Sequence, residues 1–119
     1  MYSKELLKGT ISAMVLKLLS EQERMYGYEI SMRVKELSDG KILLKDGSLY
    51  PALQKMTSDG LLSFKEETVG GRVRKYYYIT QSGLKEKTAH VNELQDFMKT
   101  MSKIVFPELS LKSYGALSH

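Results

Sequence analysis

The sequence predicts a mainly α fold carrying one small β hairpin, and three observations predict it. Three groups of apolar residues recur at helical spacing before residue 60. Two runs of strand character, residues 61–69 and 72–80, then flank the pair Gly70-Gly71. Beyond Gly83, apolar residues return every seven positions as far as Val105.

Leu7, Ile11, Met14, Val15, Leu18 and Leu19 form the first helical stripe, with Ser3 as its N-cap and Glu21-Gln22-Glu23-Arg24 as its charged end. A second helix is predicted to open near Gly27, bury Ile30, Val34 and Leu37, and stop at Asp39-Gly40. Ile42-Leu43-Leu44 has the character of a brief edge strand. Asp46 can cap a third helix, with Leu49, Leu53 and Met56 facing inward and Asp59-Gly60 as its stop. Pro51 falls in the first turns, where its missing N–H costs little. In the strand runs, Leu62 and Phe64 alternate on the first; Val73, Tyr77 and Ile79 share one face of the second, with Tyr76 and Tyr78 on the other. Gly70-Gly71 supplies the positive φ angles of a tight hairpin tip. Three helices followed by a hairpin is the order of a winged helix-turn-helix, expected to occupy residues 1–80.

From 81 to 106 the pattern is that of a long helix. Leu84, Val91, Met98 and Val105 lie seven apart, and Leu94 and Met101 fill the second heptad position, which is broken only by Lys87. Such a seam needs a partner helix. The helix's own domain is one candidate. A second copy of the chain is the expected one, because a winged domain of roughly 80 residues has a core of its own. Residues 81–106 are thus expected to be a C-terminal dimerisation helix, ended by Pro107. Residues 107–119 show no clear period and remain unassigned.

Composition narrows the chemistry. There is no cysteine, which removes disulfides, thiol catalysis and cysteine metal sites and suits the cytoplasm. The two histidines, His90 and His119, are far apart, so neither a histidine metal site nor a triad is expected. No paired carboxylates, nucleophile–base set or phosphate loop points to an enzyme or to a cofactor. The N-terminus lacks signal-peptide character, and no apolar run approaches the ~20 residues of a membrane span. Net charge is only +4, so the positive charge acts through where it clusters.

It clusters at the hairpin tip. Gly71 is followed by Arg72, Arg74 and Lys75, three cations in four residues. Folding does not require them there, whereas a nucleic-acid backbone is bound by such groups with release of counterions. The third helix, with its apolar positions inward, leaves Ser48, Pro51, Gln54, Lys55 and Ser58 outward and Tyr50 at the flank, a face suited to base edges in a major groove. Its charge is nearly balanced, with Lys55 against Asp46 and Asp59. Attraction to DNA must then come from the wing and from Lys41 and Lys45, and specificity from polar contacts, thymine methyls and DNA shape. Tyr26 and Tyr28 open the second helix, where either a phosphate contact or a place in the core accounts for them.

Three segments, Met25-Tyr-Gly-Tyr-Glu-Ile, Gly47-Ser-Leu-Tyr-Pro-Ala-Leu and Gly71-Arg-Val-Arg-Lys-Tyr-Tyr-Tyr-Ile-Thr-Gln-Ser-Gly, resemble in order those of the PadR family of bacterial transcription regulators, and the resemblance spans roughly residues 5–105. It implies a homodimeric winged-helix repressor acting on a nearby promoter and released by a small ligand. It carries DNA contact to Tyr26 or Tyr28, Ser48, Tyr50, Pro51, Lys55, Arg72, Arg74 and Lys75. The single C-terminal helix looks like that of the short subfamily. Two departures matter. Val73 replaces a proline common in the family's wing, and the absence of tryptophan removes the stacking of planar drugs used by some short members. Leu94, Phe97, Met98 and Met101 can line an apolar cleft for a small apolar or aromatic effector, although a plain dimer core accounts for the same residues. The expected partners are double-stranded DNA bearing an inverted repeat and a second copy of the chain. A winged helix used for protein contact is the alternative.

Overall fold

The computed structural model describes residues 2–108. Its elements are α1 (Lys4–Leu7), α2 (Ile11–Glu21), β1 (Met25–Tyr26), α3 (Gly27–Leu37), α4 (Asp46–Ser58), β2 (Leu62–Val69), β3 (Arg72–Ile79) and α5 (Gln81–Val105). The chain divides into two compact units, residues 1–87 and 88–119, so α5 begins in one and continues into the other. The mainly helical fold with its winged hairpin agrees with the sequence reading.

The first expected helix is two. Ser3 does cap, its hydroxyl accepting the Leu6 amide at 3.4 Å, but α1 ends after one turn and Gly9 turns the chain with φ 90°. α2 then buries Ala13, Val15, Leu16, Leu18 and Leu19. α3 opens with the Glu29 carboxylate accepting the Tyr26 amide at 3.1 Å and contributes Ile30 and Val34 to the core. Leu37, expected to be buried, is 60% exposed: it is the last residue of α3, one turn past the point where the helix meets the core. Lys45 rather than Asp46 is the N-cap of α4, and Leu49, Leu53 and Met56 are buried as expected. α4 ends in a Schellman motif, the Leu61 amide donating to the Met56 carbonyl and the Gly60 amide to Thr57, with Gly60 at φ 78°.

The hairpin has eight residues on each side and a two-residue tip, Gly70 at φ 57° and Gly71 at φ 79°, as a type I′ turn needs. Its register pairs Leu62 with Ile79 and Val69 with Arg72. The sheet has a third strand, which the sequence reading put in the wrong place. Residues 42–44 form no strand; instead β1, just before α3, pairs with β3 through Met25–Tyr77 and Tyr26–Tyr76, giving the order β1-β3-β2. One face of the sheet joins Met25, Leu62 and Tyr77 to the core formed by α2, α3 and α4.

The junction after β3 ties α5 to the end of α4. The Thr80 hydroxyl donates to the Gly60 carbonyl at 2.6 Å and accepts the Gly83 amide at 3.0 Å, which makes it the N-cap of α5. Gly83 is buried because its backbone lies directly against the Leu61 carbonyl, where no Cβ would fit. In the second unit, α5 half-buries Val91 and Leu94 and exposes Phe97, Met98, Met101, Ile104 and Val105. The spacing of Leu94, Phe97, Met98, Met101, Ile104 and Val105 puts them on one helix face. The unassigned tail lies, from residue 109 onward, outside the described residues.

Candidate nucleic-acid interface

Strand alternation sorts the wing cations. Arg72 and Arg74 project from the face of β3 that also carries Tyr76 and Tyr78, while Lys75 projects from the face that carries Tyr77. The cluster of three read from the sequence is therefore two arginines on the outer face and one lysine on the other. The Lys75 ammonium sits 3.9 Å from the centre of the Phe64 ring, and its cross-strand neighbour is Glu66.

The outer face is an interlocked set of cations and rings. Because β1 pairs with β3, Tyr26 stands beside Tyr76, edge-on at 5.5 Å between ring centres. The Arg74 guanidinium covers the Tyr26 ring at 4.5 Å, and Arg24 covers Tyr76 at 4.0 Å. Arg24 also donates to the Glu67 carboxylate. Hydrogen bonds to Tyr78 and then to Glu67 hold the Arg24 guanidinium above its ordinary pKa, and a hydrogen bond to Tyr76 does the same for Arg74. Glu67 is the cross-strand neighbour of Arg74, so its engagement by Arg24 leaves Arg74 without an ion pair among the described residues. Arg72, opposite Val69 beside the tip, is exposed and has neither ion pair nor ring contact among the described residues.

Arg24 was not singled out from the sequence. Its role depends on β1, and two residues are too few to carry a period. Tyr26 and Tyr28 do not plug the core: they stack on each other at 6.4 Å, and Tyr28 is 61% exposed.

On α4, Pro51, Gln54 and Lys55 are exposed and Ser48 is half-buried. Lys55 bonds Asp59 at 3.1 Å, an exposed i,i+4 pair worth ~0.3–0.5 kcal/mol and readily given up to another anion. Tyr50 is exposed in part, but the end of its ring lies on Gly27, where an added Cβ would come within 2.7 Å of two ring carbons. Gly27 thus admits the Tyr50 ring against the start of α3 and links the two helices. The Ser48 and Leu49 amides both donate to the Lys45 carbonyl, so Asp46 and Gly47 carry the amides open to an anion at this helix end. Burial, and then the neighbouring Tyr50, push the Tyr77 hydroxyl above its ordinary value behind this surface.

Among the described residues, no helix is long and apolar enough to cross a membrane.

Comparison with known proteins gives this surface a context. The model of the Transcriptional regulator PadR-like family matches residues 15–89, from α2 through the wing into α5. A protein of Mycobacterium tuberculosis named as a transcriptional regulator is 32% identical over 65 residues, which cover 55% of this chain and 61% of that one. A transcriptional regulator from Clostridium thermocellum has a solved structure that matches with a TM-score of 0.80 at 27% identity, over 86% of this chain and 99% of the other. A PadR family transcriptional regulator from Eggerthella lenta matches with a TM-score of 0.72 at 30% identity, over 86% and 87% of the two chains. The family is one of transcriptional regulators and not of enzymes. With its model matched across the helical core, the wing and the first turns of α5, this chain belongs to the PadR-like family of transcriptional regulators.

Proposed function

We propose that the chain is a homodimeric repressor that binds an inverted-repeat operator in double-stranded DNA in the cytoplasm and is released by a small apolar or aromatic ligand. One observation carries the reading: α4 uses Leu49, Leu53 and Met56 for the core and leaves Ser48, Tyr50, Pro51, Gln54 and Lys55 on a polar surface. In this reading α4 enters the major groove and the outer face of the wing meets the adjoining backbone through Arg72 and Arg74, with Gly71 close to it at the tip. Tyr28 contacts phosphate at the start of α3, Tyr26 holds Arg74, and Lys75 acts as a more distant charge. Two such surfaces related by a two-fold axis require half-sites about 34–36 Å apart.

The dimer reading rests on α5. Its exposed stripe of Phe97, Met98, Met101 and Val105, with half-buried Leu94 beside it, is too apolar to be an ordinary solvated face, and Leu84 and Val91 continue the seam toward the helix start. The same stripe can line a ligand cleft between paired helices, although Leu94, Phe97, Met98 and Met101 are fully accounted for by a dimer core. The near-balance of charge on α4 favours a second reading, a winged helix that contacts protein. A gel shift on the DNA upstream of the chain's own gene separates the two. The repressor reading expects a discrete complex resistant to unrelated DNA, weakened about 10³–10⁵-fold between 50 and 200 mM salt if six to ten phosphates are met. Normal binding by Arg72→Ala with Arg74→Ala would falsify the assignment of the wing.

A further inference from the structure

A cavity of about 360 Å³ opens between α1, the start of α2 and the segment leading into α4. Leu7, Ile11, Leu43 and Leu44 wall it, and Lys4, Lys8 and Lys45 stand round it. No carboxylate lines it, and none of the three lysines has an ion pair among the described residues. Three cations thus border one apolar hollow, with no carboxylate among its lining residues to offset them. α1 buries no residue, so a four-residue helix is held in place with little help from the core. A ligand filling the space beneath it would supply the packing it lacks. Small-molecule pockets run from about 300 to 1,000 Å³, which puts this one at the size of a single ring or a medium alkyl chain.

We infer that this cavity binds an amphipathic monocarboxylate whose apolar body lies on Leu7, Ile11, Leu43 and Leu44 and whose carboxylate is met by Lys4, Lys8 and Lys45. Charge complementarity selects the anion over a neutral molecule of the same shape, and the apolar walls select it over inorganic phosphate. None of the residues that line it belongs to α5. Its position also gives it a consequence. Lys45 is the N-cap of α4 and Ser48 lies in the first turn of that helix and on the cavity wall. A carboxylate there neutralises Lys45 and covers Ser48, so ligand and DNA compete for the same end of α4, each lowering the affinity of the other by the same factor. The competition, though not the binding, rests on the DNA reading given above.

The test uses three probes with one tail, octanoate, 1-octanol and octylammonium, titrated below micelle formation into the full-length, ¹⁵N-labelled chain. Octanoate is expected to shift the amides of Lys8, Leu44 and Lys45 and to bind at least about tenfold more tightly than octanol, with octylammonium weakest. Lys4→Gln with Lys8→Gln should weaken octanoate about tenfold and leave octanol unchanged, while Lys4→Arg with Lys8→Arg should keep octanoate binding. Equal affinity for all three probes, shifts confined to α5, or no shift with any probe (as when a second copy fills the cavity) overturns the assignment. On upstream DNA, saturating octanoate should raise the concentration of chain needed for half-binding. DNA binding that ignores bound octanoate overturns the competition. Failure of the ligand-free chain to bind DNA overturns the operator reading and the competition with it, while the octanoate shifts decide the cavity by themselves.

Discussion

Replacing Gly83 with alanine asks how firmly α5 is joined to the rest of the first unit. Glycine within a helix normally costs ~0.5–1 kcal/mol against alanine, so Gly83→Ala would ordinarily stabilise. Here the new methyl overlaps the Leu61 carbonyl oxygen and comes within 2.6 Å of Ile79 Cγ1. That carbonyl is backbone and already accepts the Thr80 amide at 3.1 Å, so it cannot swing aside as a side-chain tip would. Overpacking of this kind costs ~1–3 kcal/mol, and a rigid obstacle belongs at the upper end. Setting the helix gain against it leaves a net loss of ~1–2 kcal/mol, a fall of roughly 4–8 °C in Tm for a chain of this size. The control is Gly47→Ala in the first turns of α4, where an added Cβ meets nothing within 4 Å and the melting point should rise by a few degrees. Both are read from circular dichroism melts at one matched protein concentration, since a dimer's Tm depends on concentration. If Gly83→Ala melts at or above the parent, the close approach does not hold α5 and the reasoning is wrong.

Three other outcomes follow from the geometry. Arg72→Ala should reduce the slope of log K against log salt by about one, and Lys75→Ala, beside Phe64 and Glu66 on the opposite face, by less than about half of that; equal effects would contradict the sorting by strand face. In the proposed α5 dimer Phe97, 57% exposed in the single chain, would be covered in each copy, so Phe97→Asp should move the chain toward monomer in sedimentation equilibrium, the loss of two such phenyl groups at ~1.5–3 kcal/mol each weakening a dimer by about 10²–10⁴-fold. The pKa of the Tyr77 hydroxyl is raised by folding, so it favours the folded state fully below its unfolded pKa of ~10 and loses that contribution as pH climbs from there through the folded value. Tyr77→Phe should accordingly show a shallower loss of urea midpoint above about pH 10, and an unchanged alkaline limb would rule out this origin.

What could be read from the sequence was what repeats. Leu49, Leu53 and Met56 recur at helical spacing and are the buried side of α4, and Gly70-Gly71 between alternating runs is the tip of the hairpin. What could not be read depends on contacts between distant segments. β1 is two residues long and exists only because β3 lies beside it, so Met25 and Tyr26 look from the sequence like the approach to a helix. Arg24 gains its partners, Tyr76 and Glu67, through the same pairing, across more than forty residues. Leu37 fits the helical spacing but lies beyond the reach of the core, since period says which way a residue points and not whether anything is there to meet it. The separation of Lys75 from Arg72 and Arg74 is a different case: odd and even positions on a strand announce it, and it is legible once charge is counted by face rather than by loop.

The junction formed by Thr80 and Gly83 bears on how such a chain can be cut and rejoined. By element, the natural place to exchange this helix for another is the start of α5. By hydrogen bonding, the first turn of α5 belongs to the winged domain, because the Thr80 hydroxyl and amide donate to the carbonyls of Gly60 and Leu61 where α4 ends, and the Gly83 amide donates back to the Thr80 hydroxyl. A chimera joined at residue 80 would leave the end of α4 without its neighbour, whereas one joined after Gly83 would carry the whole connection into the hybrid. The connection to α4 thus reaches one helical turn into a continuous helix, and a graft made beyond that turn keeps every one of its hydrogen bonds.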